Sequence, residues 1–108
     1  MSSTQQSAHR ILAYSHAPVL LETRCKVLRL AGFDVDASSS AEEFDARIAQ
    51  AKIPYSLFLL GHTIPFAEQK KIAESTANSA TAVYQLTEFV PPQDLIDRLA
   101  ELLRADLT

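Results

Sequence analysis

Four short apolar runs alternate along the chain with four stretches of helical spacing, and this alternation limits the possible fold more than any other feature. The runs cover residues 11–14, 33–37, 57–60 and 81–86. The third, LFLL, has no polar face, as expected for a central parallel strand covered on both sides. The second alternates apolar and polar residues, as a half-buried edge strand does. Strands joined by helices pair in parallel through right-handed crossovers, so we predict an α/β three-layer sandwich with a four-stranded parallel sheet.

The helical stretches carry start and stop signals. Pro18 suits the first turn of the first helix, whose inward face holds Leu21, Cys25 and Leu28, and Gly32 ends it. Ser40 and Glu43 form a predicted capping box for the second helix, which ends before Pro54. Pro65 opens the third helix and residues 91–92 precede the last, which has the strongest amphipathic pattern. The third helix has only a weak inward stripe, formed by Phe66, Ile72, Ala73, Thr76 and Ala77.

Composition limits the function classes. The 108 residues suffice for one domain, which we place at residues 9–106 behind a flexible segment 1–8. A net charge of −3 without a basic block argues against nucleic-acid binding, and the single cysteine excludes an internal disulfide and a thiolate zinc site. No signal peptide, membrane span or glycine-rich phosphate loop is recognisable. We therefore expect a cytoplasmic protein that is not an enzyme and has no cofactor.

Three segments together resemble the receiver domain of response regulators, which has a flavodoxin-like fold. They are RILAYSHAPVLLETRCKVLRLAGFDVDASSSAEEF, YSLFLLGHTIP and PPQDLIDRLAELL, and the likeness covers about residues 9–64 and 83–104. Compared with that family the chain is truncated by about one βα unit. The resemblance thus implies a sheet in the order 2-1-3-4, with the last run corresponding to either the fourth or the fifth strand of the family.

The family's phosphorylation chemistry is not matched by the residues at the corresponding positions. Receivers hold a Mg²⁺ ion with carboxylates and phosphorylate one of them. By the resemblance, the acidic pair falls on Ser15 and His16, the phosphoacceptor on Gly61 and the hydroxyl residue on Thr87, while Glu88 stands where a lysine belongs. The resemblance therefore implies a degenerate phosphorylation pocket without catalytic residues or a metal.

The same end of the sheet offers a second interpretation. His16 and His62 follow neighbouring strands, and open α/β sheets bind ligands at the carboxyl ends of their strands. A metal or phosphate bound between the two imidazoles is one reading. The other is two exposed loop histidines without a supporting carboxylate, left after the acids were lost.

The sheet edges differ in how they are protected. Asp34 and Asp36 face outward on the second strand and guard it against further pairing. Val83, Tyr84 and Leu86 on the fourth strand are either covered by the chain itself or form a contact surface for another protein.

Two functions from different classes follow. The first is a non-phosphorylatable pseudo-receiver domain that acts through protein–protein contacts in two-component signal transduction, with another signalling protein or a second copy as partner and neither nucleic acid nor membrane involved. The alternative is a small-molecule-binding α/β domain that uses the remodelled pocket at the carboxyl ends of strands 1 and 3. An enzyme with His16 or His62 as base is the least favoured reading.

Overall fold

The computed structural model describes residues 9–62, 64–76, 81–86 and 90–107. Strands and helices alternate strictly through this part of the chain. The elements are β1 (Arg10–Tyr14), α1 (Pro18–Leu30), β2 (Asp34–Ser38), α2 (Ala41–Gln50), β3 (Leu57–Leu60), α3 (Phe66–Ser75), β4 (Ala82–Gln85) and α4 (Pro92–Leu107). The predicted α/β architecture is confirmed.

The four strands form one parallel sheet in the order β2-β1-β3-β4, as predicted. Leu12 lies opposite Asp36 on one side and opposite Phe58 on the other, and Leu60 is paired with Gln85 on β4. β4 thus lies directly beside β3, a position that both alternatives for the last strand predict. Its other edge is the end of the described sheet.

Two apolar cores separate the sheet from its helices. Alternate residues of β1 point to opposite faces, so Ile11 and Ala13 join the core under α1 and α4, whereas Leu12 and Tyr14 join the core under α2 and α3. All four residues of β3 are buried. This burial explains the lack of a polar face in LFLL and completes the predicted three layers.

The helix ends agree with the sequence signals, except that one hydrogen bond of the capping box has a different donor. α1 starts at Pro18, and Gly32 takes a φ of 103° after the helix, which only glycine adopts without strain. Ser40 Oγ accepts from the backbone N–H of Glu43 at 3.1 Å, as predicted. The Glu43 carboxylate, however, accepts from the N–H of Ser39 at 2.8 Å, one residue before the expected donor.

The inward stripe predicted for α3 is only partly correct. Ile72 and Thr76 are buried, but Phe66 is 78% exposed and Ala73 is also exposed. At 100° per residue Phe66 lies about 120° around the helix from Ile72, too far to share its face. Ala77 lies outside the described residues.

The two carboxylates predicted to face outward on β2 also form ion pairs with the neighbouring strand β1. Arg10 on β1 contacts Asp34 at 3.2 Å and Asp36 at 3.1 Å, and its guanidinium stacks over the Tyr55 ring. These contacts tie β1 to β2 near one end of the sheet. Among the described residues, no helix combines the length and apolar character needed to cross a bilayer.

Candidate functional site

The candidate site lies where β1 and β3 end side by side. Ser15 directly follows β1 and Gly61 directly follows β3. The backbone N–H of Gly61 donates to the carbonyl of Tyr14 at 2.8 Å, which extends the strand pairing by one residue. The parallel sheet thus brings together the two positions at which the resemblance places an acidic residue and the phosphoacceptor.

The space next to the Gly61 backbone is crowded by its neighbours. A Cβ atom at this position would lie 3.1 Å from Ser15 Oγ and 3.2 Å from an Nη atom of Arg24. These distances are shorter than ordinary van der Waals contacts, so a larger residue would have to displace its neighbours. Packing therefore favours glycine here, independently of any catalytic role.

The group that fills this space is the guanidinium of Arg24. Side chains on a helix lean toward its N-terminus, which carries the Arg24 head group from the second turn of α1 back to the end of β3. Arg24 is only 4% exposed. One Nη atom donates to His62 Nδ1 at 3.3 Å, so that nitrogen acts as the acceptor.

Arg24 is a buried cation with few hydrogen-bond partners and no counter-ion among the described residues. Its Nε atom is buried and has no hydrogen-bond partner among the described residues. Within the same ranges no carboxylate forms an ion pair with it. Burial consequently lowers the pKa of the Arg24 guanidinium, with a smaller opposing influence from Cys25.

Arg24 was missed in the sequence although a signal was present. Position 24 falls on the same helical stripe as Leu21, Cys25 and Leu28, at spacings of three, one and four residues. An arginine on an inward stripe is unusual because charged side chains are rarely fully buried. A charged residue at an inward-facing helical position is therefore the sequence signal that indicates this site.

The residues present do not fit a magnesium ion. Mg²⁺ binds oxygen ligands, chiefly carboxylates. At this edge the structure places a hydroxyl at Ser15, no side chain at Gly61 and the Arg24 cation beside Gly61. A positive side chain in this place repels a second cation.

A separate polar cluster lies on the other face of β1. His16 Nε2 is 2.7 Å from a carboxylate oxygen of Glu68, and the Tyr14 hydroxyl donates to the other oxygen. His16 is an exposed loop residue, as the second reading has it, but a carboxylate does support it, contrary to expectation. α3 packs so that Glu68 meets the end of β1.

Hydrogen bonding in this cluster shifts two pKa values in opposite directions. The hydrogen bond from Tyr14 has the largest influence on the pKa of Glu68 and lowers it. Desolvation raises this pKa, His16 and Lys71 lower it by smaller amounts, and the net shift is downward. Burial raises the pKa of Tyr14, and Glu68 adds to that rise. The ionised carboxylate and the neutral phenol therefore stabilise each other.

This arrangement makes part of the stability depend on pH. Because folding depresses the pKa of Glu68 below 4.5, its contribution is fully present above pH 4.5 and is lost as pH falls through the folded-state pKa. We expect Glu68→Gln to lower the free energy of unfolding at pH 7 and to lose this effect below that pKa, as measured by urea unfolding at several pH values. Glu74→Gln, on an exposed position of α3, is the matched control. Parallel pH profiles for wild type and Glu68→Gln would contradict the expectation.

The predicted histidine pair is divided between two partners. His16 contacts Glu68, whereas His62 contacts Arg24. Ser15 is buried and its hydroxyl accepts from the N–H of Ala17 at 3.1 Å.

In the described part of the chain, no group of three or more His, Cys, Asp or Glu side chains could hold a metal ion. The predicted positions Thr87 and Glu88 lie outside the described residues.

The β4 edge differs in part from its prediction as a contact surface. Val83 is 44% exposed and Tyr84 is half-buried, but Leu86 is 2% exposed and belongs to the core under α1 and α4. Leu86 continues the pairing with β3, its N–H donating to the carbonyl of Leu60 at 2.9 Å, and its side chain packs in that core. The accessible part of this edge therefore contains Val83 and Tyr84 but not Leu86.

Comparison with known proteins shows the fold. No family model and no curated protein sequence matches the chain. A solved CheY-like response regulator receiver domain protein from Methanospirillum hungatei JF-1 is similar, with a TM-score of 0.67, 19% sequence identity and coverage of 92% of this chain and 96% of that chain. Chemotaxis protein CheY4 of Vibrio cholerae gives a TM-score of 0.62 at 16% identity, covering 88% and 98%. The chain thus has a receiver-like, flavodoxin-like fold with a four-stranded sheet.

Proposed function

We propose that this protein is a non-phosphorylatable pseudo-receiver domain that acts in cytoplasmic signal transduction through protein–protein contacts and without enzymatic activity. The observation that carries the proposal is the position of the Arg24 guanidinium over Gly61. The receiver fold is retained, but a buried guanidinium lies where the fold's phosphorylation chemistry needs a carboxylate. Such a domain cannot form an acyl phosphate at this position, so its signalling role depends on what it binds.

The edge strand β4 offers a suitable contact surface. On one side of it a groove of about 320 Å³ is lined by Phe66, Ala73 and Val83. On the other side a groove of about 380 Å³ is lined by Tyr84 and Leu102 together with charged residues of α4. Phe66, Val83 and Leu102 are among the large apolar side chains that remain exposed. Apolar side chains on both faces of an edge strand favour contact with another chain.

The experiment is a pull-down with tagged protein, carried out with and without Mg²⁺ and beryllofluoride, with bound proteins identified by mass spectrometry. We expect enrichment of a sensor kinase or a response regulator, unchanged by the phosphoryl analogue. Val83→Lys should abolish the enrichment, because it places a charge in the apolar groove.

The chain contains a matched control for that substitution. Val19 is 77% exposed on α1, away from β4, so Val19→Lys makes the same chemical change elsewhere and should leave binding intact. Capture that depends on beryllofluoride would refute the phosphorylation-independent part of the proposal. Equal capture by wild type and Val83→Lys would refute the assigned surface, and a blank result with wild type would refute the protein-contact function.

A further inference from the structure

The end of β3 holds a buried cation without a counter-ion in the described part of the chain. The Arg24 guanidinium is buried at 4% exposure, and its Nε donor has no partner among the described residues. The half-buried His62 lies beside it, 3.3 Å from the guanidinium. No described carboxylate is within ion-pairing distance of Arg24. A buried charge without a counter-ion is costly, so such a site favours an anion.

The N-terminus of α1 adds further positive potential at this end of the sheet. Ala17 at the N-cap makes no side-chain hydrogen bond, and the first turn, all of it in the described part of the chain, contains no acidic residue. The partial positive charge of the helix N-terminus is therefore not balanced by an acidic side chain of the first turn. Ser15 Oγ already accepts from the N–H of Ala17, which fixes this turn beside Gly61.

We propose that the end of β3 binds a small oxyanion of the phosphate class through the Arg24 guanidinium, assisted by His62 and the N-terminal turn of α1. A guanidinium presents a planar fork of donors that matches two oxygens of one phosphate or carboxylate. Helix N-termini supply further donors for such ions. This oxyanion site lies at the end of β3 and does not involve the β4 contact surface.

The chain's glycine content gives a direct test in the wild-type protein. Gly61 and Gly32 are the only two glycines, so both backbone amide signals can be followed by nitrogen–proton NMR. We expect titration with inorganic phosphate, against chloride at matched ionic strength, to shift the Gly61 amide and the Arg24 Nε–H signals saturably. Gly32, at the opposite end of α1, should not respond. Acetate titration separates a tetrahedral dianion from a planar carboxylate as the preferred ligand.

Substitutions on one helix then identify the cation responsible. Arg24→Met should weaken phosphate binding about tenfold or more, because a charge-assisted hydrogen bond to a buried group is lost. Lys26→Met removes the same charge from an exposed position of α1 and should leave the affinity unchanged within about twofold.

Three results would overturn the proposal. The first is the absence of a saturable shift at Gly61 in the wild type. The second is an equal response to chloride and phosphate, which would indicate general screening. The third is an unchanged phosphate affinity in Arg24→Met. Should that variant fail to fold, the wild-type Arg24 Nε–H signal still decides the question.

Discussion

Phe44→Ala should lower the free energy of unfolding by about 3–5 kcal/mol, the usual cost of truncating a fully buried aromatic residue. Phe44 is 0% exposed, and its ring centroid lies 5.5 Å from that of Tyr14 and 5.2 Å from that of Phe58. The substitution leaves a cavity between α2 and the sheet. Urea unfolding followed by circular dichroism measures the change.

Phe66 provides the matched control, since it is the same residue type at 78% exposure. We expect Phe66→Ala to change stability by less than about 0.5 kcal/mol, as surface substitutions usually do. Comparable losses from the two substitutions would mean that α3 is packed differently from the structure described above.

Arg24→Met is expected to raise the free energy of unfolding in phosphate-free buffer by about 1–3 kcal/mol, the cost of a buried polar group left unsatisfied. Methionine is unbranched and of similar length, so it can fill much of the space over Gly61 without a charge. A stabilising substitution at a buried site is expected where a residue is kept for function rather than for stability.

Arg29→Met makes the same change five residues further along α1, and its effect on stability should have the opposite sign. The Arg29 guanidinium donates twice to the Val35 carbonyl, at 3.2 and 2.8 Å, and so ties α1 to β2. Its loss should cost about 0.5–1.5 kcal/mol. A loss of stability in Arg24→Met as large as that in Arg29→Met would show that the Arg24 guanidinium is satisfied in the folded protein.

Local sequence patterns were sufficient for the elements of the fold. The period of the apolar residues distinguishes LFLL from the helices around it, and Pro18, Gly32 and Ser40 mark helix ends because each acts on its own backbone or that of near neighbours. The weaker stripe of α3 was assigned less well. Its apolar residues do not follow one helical face, and burial of Ile72 was decided by contact with the second core.

Patterns along the chain could also locate the candidate site at the carboxyl ends of β1 and β3, since the topology alone brings Ser15 and Gly61 together. They could not identify its chemistry. Arg24 and His62 are 38 residues apart and His16 and Glu68 are 52 apart, and nothing in their local sequence relates them.

The alternation of strands and helices, the parallel sheet and the lack of acidic residues at positions 15, 16 and 61 can thus be read from the chain alone. The position of the Arg24 cation over Gly61 and the support of His16 by Glu68 emerge from the packing of the folded chain. The physical reason is range. Secondary structure depends on backbone propensity and residue period, whereas burial of a charge depends on which distant groups the packed sheet and helices bring within a few ångströms of it.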